Sequence, residues 1–163
     1  MSQLRTGLIG YGMAGATIHA PAIAVTDGLE LASIVTRNPD RAAAAAEQHP
    51  RARIVASADE LWAQADQLDV VVIATPNRWH VPLALAAIDH GLAVVIDKPV
   101  GATAEDARRV AEAAAAAGVA VSVFHNRRWD GSSKTLRDLV RSNALGRVHR
   151  FEARFDRWRP EVN

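Results

Sequence analysis

The chain has no cysteine. Disulfides, cysteine-held zinc and thiol nucleophiles are excluded together, and the composition fits a reducing cytoplasm. Long apolar runs are missing too. The first one, Leu8-Ile9, is interrupted by Gly10 and Gly12, far too soon for the core of an export signal or a membrane span. Net charge is nearly absent: 19 basic residues stand against 18 acidic ones. No global field therefore recruits nucleic acid or an anionic membrane. The histidines His49, His90 and His149 show no metal-ligand spacing. There is no phosphate-binding GxxxxGK loop, no nucleophile–histidine–acid arrangement and no nucleic-acid motif. These absences leave a soluble, intracellular chain of 163 residues, long enough for one domain with a substantial core.

What is present is a rhythm. Short apolar runs at 8–9, 31–35, 70–73, 92–96 and 119–124 alternate with helical patterns near 13–25, 39–48, 61–65, 81–90, 104–117 and 133–142. Several of the apolar runs are continuous Val/Ile stretches, which predicts strands buried on both faces. Helix starts carry their own signals: Asn38 before Pro39, Ser57 with Glu60, and Thr103 followed by Glu105 and Asp106. Gly91 and Gly118 stand where helices should stop. Strand–helix repetition with short connections predicts an α/β fold with a doubly wound parallel sheet and right-handed crossovers over residues 1–125.

The rhythm changes after that. Phe151, Ala153 and Phe155 alternate with charged residues, so a strand with one covered face is expected, the first of a second, largely absent sheet domain. Residues 126–163 are thus read as a connecting helix and the start of that domain. The segment is rich in arginine (Arg127, Arg137, Arg141 and Arg147 among others), as a solvated face or a surface for a partner domain would be.

The first strand runs into Gly10-Tyr11-Gly12-Met13-Ala14-Gly15, a GxGxxG string opening a helix at the start of a βαβ unit. Gly10 allows the tight turn, Gly12 lets backbone amides approach a pyrophosphate, and Gly15 lets the helix pack closely. The helix start adds partial positive charge. The second strand should end on a reader of the adenosine ribose. A carboxylate there marks NAD, whereas this strand ends Thr36-Arg37, with Arg41 one turn further on. Two guanidinium groups and no acid favour NADP, with NAD as the alternative; Arg37 stacked on the adenine would serve either.

Three further strand ends collect unusual residues: Thr75-Pro76-Asn77 with His80, then Asp97-Lys98-Pro99, then 125–130 with Asn126. In an open parallel sheet these ends share one edge, where ligands bind. Lys98 before a proline is expected to be partly buried, its stem crossing apolar ground; a surface lysine paired with an acid is the plainer reading. His19, close to Pro21, reads as a buried histidine in a helix that the proline kinks or restarts. His80 reads equally as a ligand neighbour or a helix cap. Trp62 reads as core. Trp129 and Trp158 fit either a cleft lining or a seam to another domain.

The order of residues 10–15, Thr75-Pro76-Asn77 with His80, and Asp97-Lys98-Pro99 resembles the Gfo/Idh/MocA oxidoreductases over essentially the whole chain. The resemblance implies a Rossmann domain followed by an α/β domain on a large open sheet, a small-molecule substrate such as a sugar or polyol, and homo-oligomers at full length. It implies cofactor contacts from residues 10–15, Thr36, Arg37, Arg41, Thr75, Pro76, Asn77, His80, Asp97, Lys98 and Asn126, with Lys98 as the catalytic-site lysine. The family usually has Glu where Asp97 stands, and its other catalytic residues lie in the second domain. A dinucleotide-sensing protein without catalysis is the alternative, since the fold alone does not exclude it.

Overall fold

The β-branched runs form strands and the alanine-rich stretches between them form helices, because only the former stack well on a pleated surface buried on both sides. The computed structural model describes residues 3–158 and 160–161. The chain divides into two compact units, Met1–His125 and Asn126–Asn163.

In the first unit the strands are β1 (Leu4–Ile9), β2 (Leu29–Val35), β3 (Arg53–Val55), β4 (Val70–Ile73), β5 (Ala93–Asp97) and β6 (Val121–Phe124). They form one sheet in the order β3-β2-β1-β4-β5-β6, and every pair is parallel. Reversal of strand order at β1/β4 makes this the doubly wound Rossmann arrangement. Neighbouring residues on a strand point to opposite faces. Accordingly, Leu8, Leu31, Ile34 and Val72 pack with Ala20 and Ile23 of helix α1 (Ala20–Val25) and Ala45 of α2 (Pro39–Gln48). Ile9, Val35, Val71 and Ile73 pack on the other face against α3 (Ala58–Trp62), α4 (His80–Asp89) and α5 (Ala104–Ala117). Ile34, Ile73 and Ile96 are fully buried, each stabilising the fold by about 1.5–3 kcal/mol.

The predicted caps are present. The Asn38 and Ser57 side chains accept from the Arg41 and Glu60 amides at 2.9 and 3.2 Å, and Thr103 forms a capping box with Asp106. Helix α5 ends on Gly118 at φ 69°. Trp62 is partly buried against the core and stacks on His90.

The break expected in the first helix near Pro21 is present, and later expectations are corrected. The first helix is not uniform: a π-helical turn, Gly15–His19, precedes α1, and the Ala20 amide donates to the Gly15 carbonyl. Pro21 has no N–H to continue a regular ladder and its ring crowds the preceding turn, so the helix restarts there. Strand β3 has no counterpart among the sequence expectations. In the second unit a 3₁₀ turn (Asn126–Trp129) leads into α6 (Gly131–Arg141). The strand expected at 151–156 is not formed; the segment is exposed and without regular structure. A strand needs a ladder partner, and alternation alone supplies none. Trp129 and Trp158 are both largely exposed, while Arg159 lies outside the described residues.

Candidate functional site

Parallel strands bring their carboxyl ends to one edge, and the sheet ladder continues into the loops that leave it. Gly10 donates to the Val35 carbonyl at 3.0 Å, Thr36 to Val55 at 3.0 Å and Ala74 to Ile9 at 2.8 Å. The loops after β1, β2, β3 and β4 therefore start from fixed positions. Between them lies a groove of about 790 Å³. Gly10 to Met13 form its floor; Thr36, Arg37, Asn38 and Arg41 line one part, and Ser57, Ala58 and Asp59 line another. Thr75, Pro76, Arg78 and Trp79 complete it from the β4 side.

The three glycines of the turn differ physically. Gly10 has φ +101°, and a Cβ there would lie 2.5 Å from the Ala74 carbonyl oxygen. At Gly15 a Cβ would lie 2.0 Å from the Gly10 oxygen. Both glycines are required by the chain's own packing. At Gly12 the nearest atom to such a Cβ is the Arg41 guanidinium, 3.8 Å away. The space over Gly12 is open, and the chain itself gives no reason for the missing side chain. The N–H groups of the first helical turn have no intrahelical acceptors, so they face this space as donors for an anion. Gly10, which precedes the helix, offers no such donor, its N–H being taken by the sheet.

Tyr11 points away from the groove: its ring is buried in the core and its hydroxyl donates to Gln48 Oε1 at 2.8 Å. Burial raises its pKa. Only its backbone is available to a ligand. Met13 is exposed, and Ala14 is half-buried behind it. Arg37 and Arg41 are exposed on the β2 side, and no carboxylate ends that strand. On the other side the Thr75 hydroxyl is buried and has no hydrogen-bond partner among the described residues. A buried hydroxyl without a partner is unfavourable by about 1–3 kcal/mol, so it is suited to a ligand oxygen. An open cradle over Gly12, an orphaned Thr75 hydroxyl and two cations at the β2 end together fit a dinucleotide.

Asp97 ends β5 and Lys98 follows it, both beyond the residues that line the groove. Lys98 is exposed, not partly buried as expected, because it lies past the last residue of β5, where the strand no longer holds the side chain against the sheet. The buried His80 explains how this corner is tied to the groove. Its Nδ1 lies 2.6 Å from the Pro99 carbonyl oxygen and its Nε2 lies 2.9 Å from that of Thr75. Both oxygens are acceptors and a neutral ring carries one N–H, so His80 donates to one of them according to its tautomer and packs against the other. Standing between the two loops, it ties Thr75 to the Pro99 corner. Asn77 lies exposed in the short turn Asn77–Trp79. Asn126 opens the second unit. A smaller cavity of about 280 Å³ opens at the opposite edge, by Leu29 and His49.

The family model described as "Oxidoreductase family, NAD-binding Rossmann fold" (Gfo/Idh/MocA) matches residues 4–125. The chain belongs to this family. Among its curated Gfo/Idh/MocA relatives is the oxidoreductase YdgJ of Escherichia coli K12, 44% identical over 160 residues, covering 98% of this chain and 45% of the relative. The scyllo-inositol 2-dehydrogenase (NADP(+)) IolW of Bacillus subtilis is 32% identical over 162 residues, 99% of this chain and 44% of IolW. The solved structure of yvaA from Bacillus subtilis superposes with a TM-score of 0.94 at 31% identity, over 99% of this chain and 46% of that one. The chain thus spans less than half the length of the relatives it matches. Among the described residues no helix is long and apolar enough to cross a membrane.

Residues 57–59 of the groove were not among the sequence candidates. Ser57 and Glu60 were legible as a helix start, but the three-residue β3 before them gave too short an apolar run to place that start on the sheet edge. Arg78 and Trp79 stood in view inside the β4 loop. Their stacking, guanidinium 5.9 Å from the ring centroid, arises only in three dimensions.

Proposed function

We propose that this chain is the coenzyme-holding part of an oxidoreductase that prefers NADP and interconverts an alcohol and a carbonyl on a polyol, sugar or related metabolite. The observation carrying the coenzyme choice is the β2 end: Arg37 and Arg41 line the groove and no carboxylate ends the strand, the groove's Asp59 coming from the β3 side. The similarity to IolW, a scyllo-inositol 2-dehydrogenase (NADP(+)), supports the same reading. Bound nicotinamide would supply the two-electron hydride acceptor or donor. The first helical turn would hold the diphosphate by its amides, Thr75 would bond a coenzyme oxygen, and His80 would hold Thr75 in place. Asn77, Asp97 and Asn126 would extend the contacts towards the nicotinamide end, with Met13 and Ala14 contributing backbone. Lys98, with three N–H donors on an exposed stem, would bond the substrate oxygen and hold or move its proton. A second domain would supply the remaining substrate contacts and exclude water.

Titration with NADPH and with NADH, read by nicotinamide fluorescence, tests the coenzyme assignment. NADPH is expected to bind more tightly, and Arg37→Ala to weaken NADPH by roughly tenfold, the scale of one charge-assisted contact, with little effect on NADH. Equal affinities unchanged by Arg37→Ala would overturn it. In a full-length protein, Lys98→Met with full activity would overturn the role of the lysine.

A further inference from the structure

A residue outside the groove controls what Lys98 has for company. Asp97 immediately precedes it, and an adjacent carboxylate is the obvious partner for an exposed ammonium. Yet among the described residues Lys98 takes part in no ion pair, and both oxygens of Asp97 face elsewhere. Asp97 Oδ1 accepts the Lys98 backbone N–H at 2.7 Å. Asp97 Oδ2 lies 3.7 Å from Nε2 of His19. That nitrogen is buried and has no hydrogen-bond partner within normal range, so the carboxylate is the acceptor nearest at hand for an N–H that is otherwise unsatisfied.

The placement of His19 is fixed from two directions. The π-helical turn Gly15–His19 carries it, and both ends of that turn, Gly15 and His19, are buried. π-helical insertions of this kind recur at functional sites. The ring of Phe124, at the end of β6, packs on the imidazole with centroids 4.4 Å apart. His19 as a whole is 4% exposed. Burial lowers its pKa, with the nearby Asp97 acting the other way, so at neutral pH the ring is uncharged and has one N–H to give.

We propose that His19 is a positioning residue, donating from Nε2 to Asp97 and thereby holding that carboxylate off the Lys98 ammonium, which is kept unpaired for a substrate oxygen. The last step rests on the role proposed for Lys98; the pinning of Asp97 does not. The shortened side chain at position 97 makes the dependence sharper, because Asp has less reach than Glu and is held by a single neighbour on that side.

The chain has only two lysines, Lys98 and Lys134, so each reports on itself. Trace acetylation with acetic anhydride, read by peptide mass spectrometry, gives the ratio of labelling at Lys98 to labelling at Lys134. In His19→Phe, which keeps the ring on Phe124 and loses the donor, Asp97 is released to pair with Lys98. The ratio is expected to fall about two- to fivefold, the range of an exposed ion pair. His19→Gln, which can present an amide N–H near the position of Nε2, should restore it, and so should adding Asp97→Asn to His19→Phe. An unchanged ratio in His19→Phe, or a fall that persists in the double variant, overturns the proposal. If His19→Phe does not fold, long-range ¹H–¹⁵N spectra of the wild-type histidines decide, with His19→Gln for assignment. A His19 protonated at Nε2 supports the proposal, and one protonated at Nδ1 refutes it. None of these measurements uses turnover, so a failure here is separable from a failure of the proposed reaction, which Lys98→Met in the full-length protein addresses.

Discussion

Replacing Gly12 and Gly15 with alanine, one at a time, should separate coenzyme binding from folding. At Gly15 the added methyl would stand 2.0 Å from the Gly10 carbonyl oxygen and 3.0 Å from its carbon. Both are backbone atoms, and Gly10 is itself held by the Val35 carbonyl. The helix start has to move, and overpacking against an unyielding neighbour destabilises by about 3 kcal/mol, the upper part of the usual range. For a unit of this size that corresponds to a fall in Tm of roughly 10 °C. At Gly12 the methyl meets nothing nearer than Arg41 at 3.8 Å, and Gly12 is not among the glycines with positive φ. Alanine there is compatible with the native backbone and narrows the unfolded ensemble, so Tm should hold or rise slightly, with about 0.4–1 kcal/mol gained. The same methyl occupies the place where a diphosphate would approach the amides. Losing one hydrogen bond to a charged group weakens binding by about 1.5–3 kcal/mol, or roughly ten- to 150-fold in Kd. Thermal melts and NADPH fluorescence titrations of the two variants measure both quantities. A Gly12→Ala protein that binds NADPH within threefold of wild type would refute the placement of the diphosphate. One that melts as early as Gly15→Ala would refute the division between the two glycines.

His80→Phe removes the ring nitrogens that stand against the Thr75 and Pro99 carbonyls and the hydrogen bond donated to one of them; a loss of about 1–3 kcal/mol is expected in urea melts, together with weaker NADPH binding as the Thr75 loop loosens. Burial lowers the pKa of His19 below its usual value of 6.5, so the unfolded chain binds a proton there that the folded chain resists. That contribution to stability is complete above about pH 6.5 and is lost as pH falls towards the lowered folded value; melts between pH 7.5 and 5 should show a shallower decline in His19→Phe than in wild type. Asp69 accepts hydrogen bonds from the side chain and backbone of Arg5, and these lower its pKa. Its contribution is present above the ordinary carboxyl range near pH 3.9 and is lost as pH falls through the lower folded value. The stability difference between wild type and Asp69→Asn should therefore narrow between pH 5 and 2, and a constant difference would refute the pairing.

Much of the fold was legible because the signals were local and agreed with one another. Continuous runs such as 70–73 and 93–96 announced buried parallel strands, and Asn38, Ser57 and Thr103 announced helix starts that the structure caps as expected. Strand β3 was illegible because it has three residues and begins with Arg53; it exists by pairing with Ser33 to Val35, which no local window contains. The opposite failure occurred at 151–156, where a clean alternation met no partner strand and formed nothing. The glycine turn, the cations at the β2 end and the loops at the strand ends were readable as chemistry at a spacing. The bracing by His80, the inward turn of Tyr11 and the approach of His19 to Asp97 join residues 5, 37 and 78 positions apart, respectively, and depend on the register of the sheet.

That contrast bears on why the site is held ready before any ligand arrives. The residues proposed to touch the coenzyme sit on loops, the elements least able to fix their own geometry. Their loops are restrained by bonds that involve no ligand: Gly10 to Val35, Thr36 to Val55 and Ala74 to Ile9 along the ladder, with His80 standing between the Thr75 and Pro99 carbonyls across it. Groups prevented from relaxing towards one another keep their donors and hydroxyls available, as the unpartnered Thr75 hydroxyl does, and a ligand that binds them has less ordering to impose. The buried histidines contribute by the same logic. His80 fixes where a loop stands, and His19 stands where it can fix which way a carboxylate faces. Neither needs to meet the ligand for the loops around it to be set.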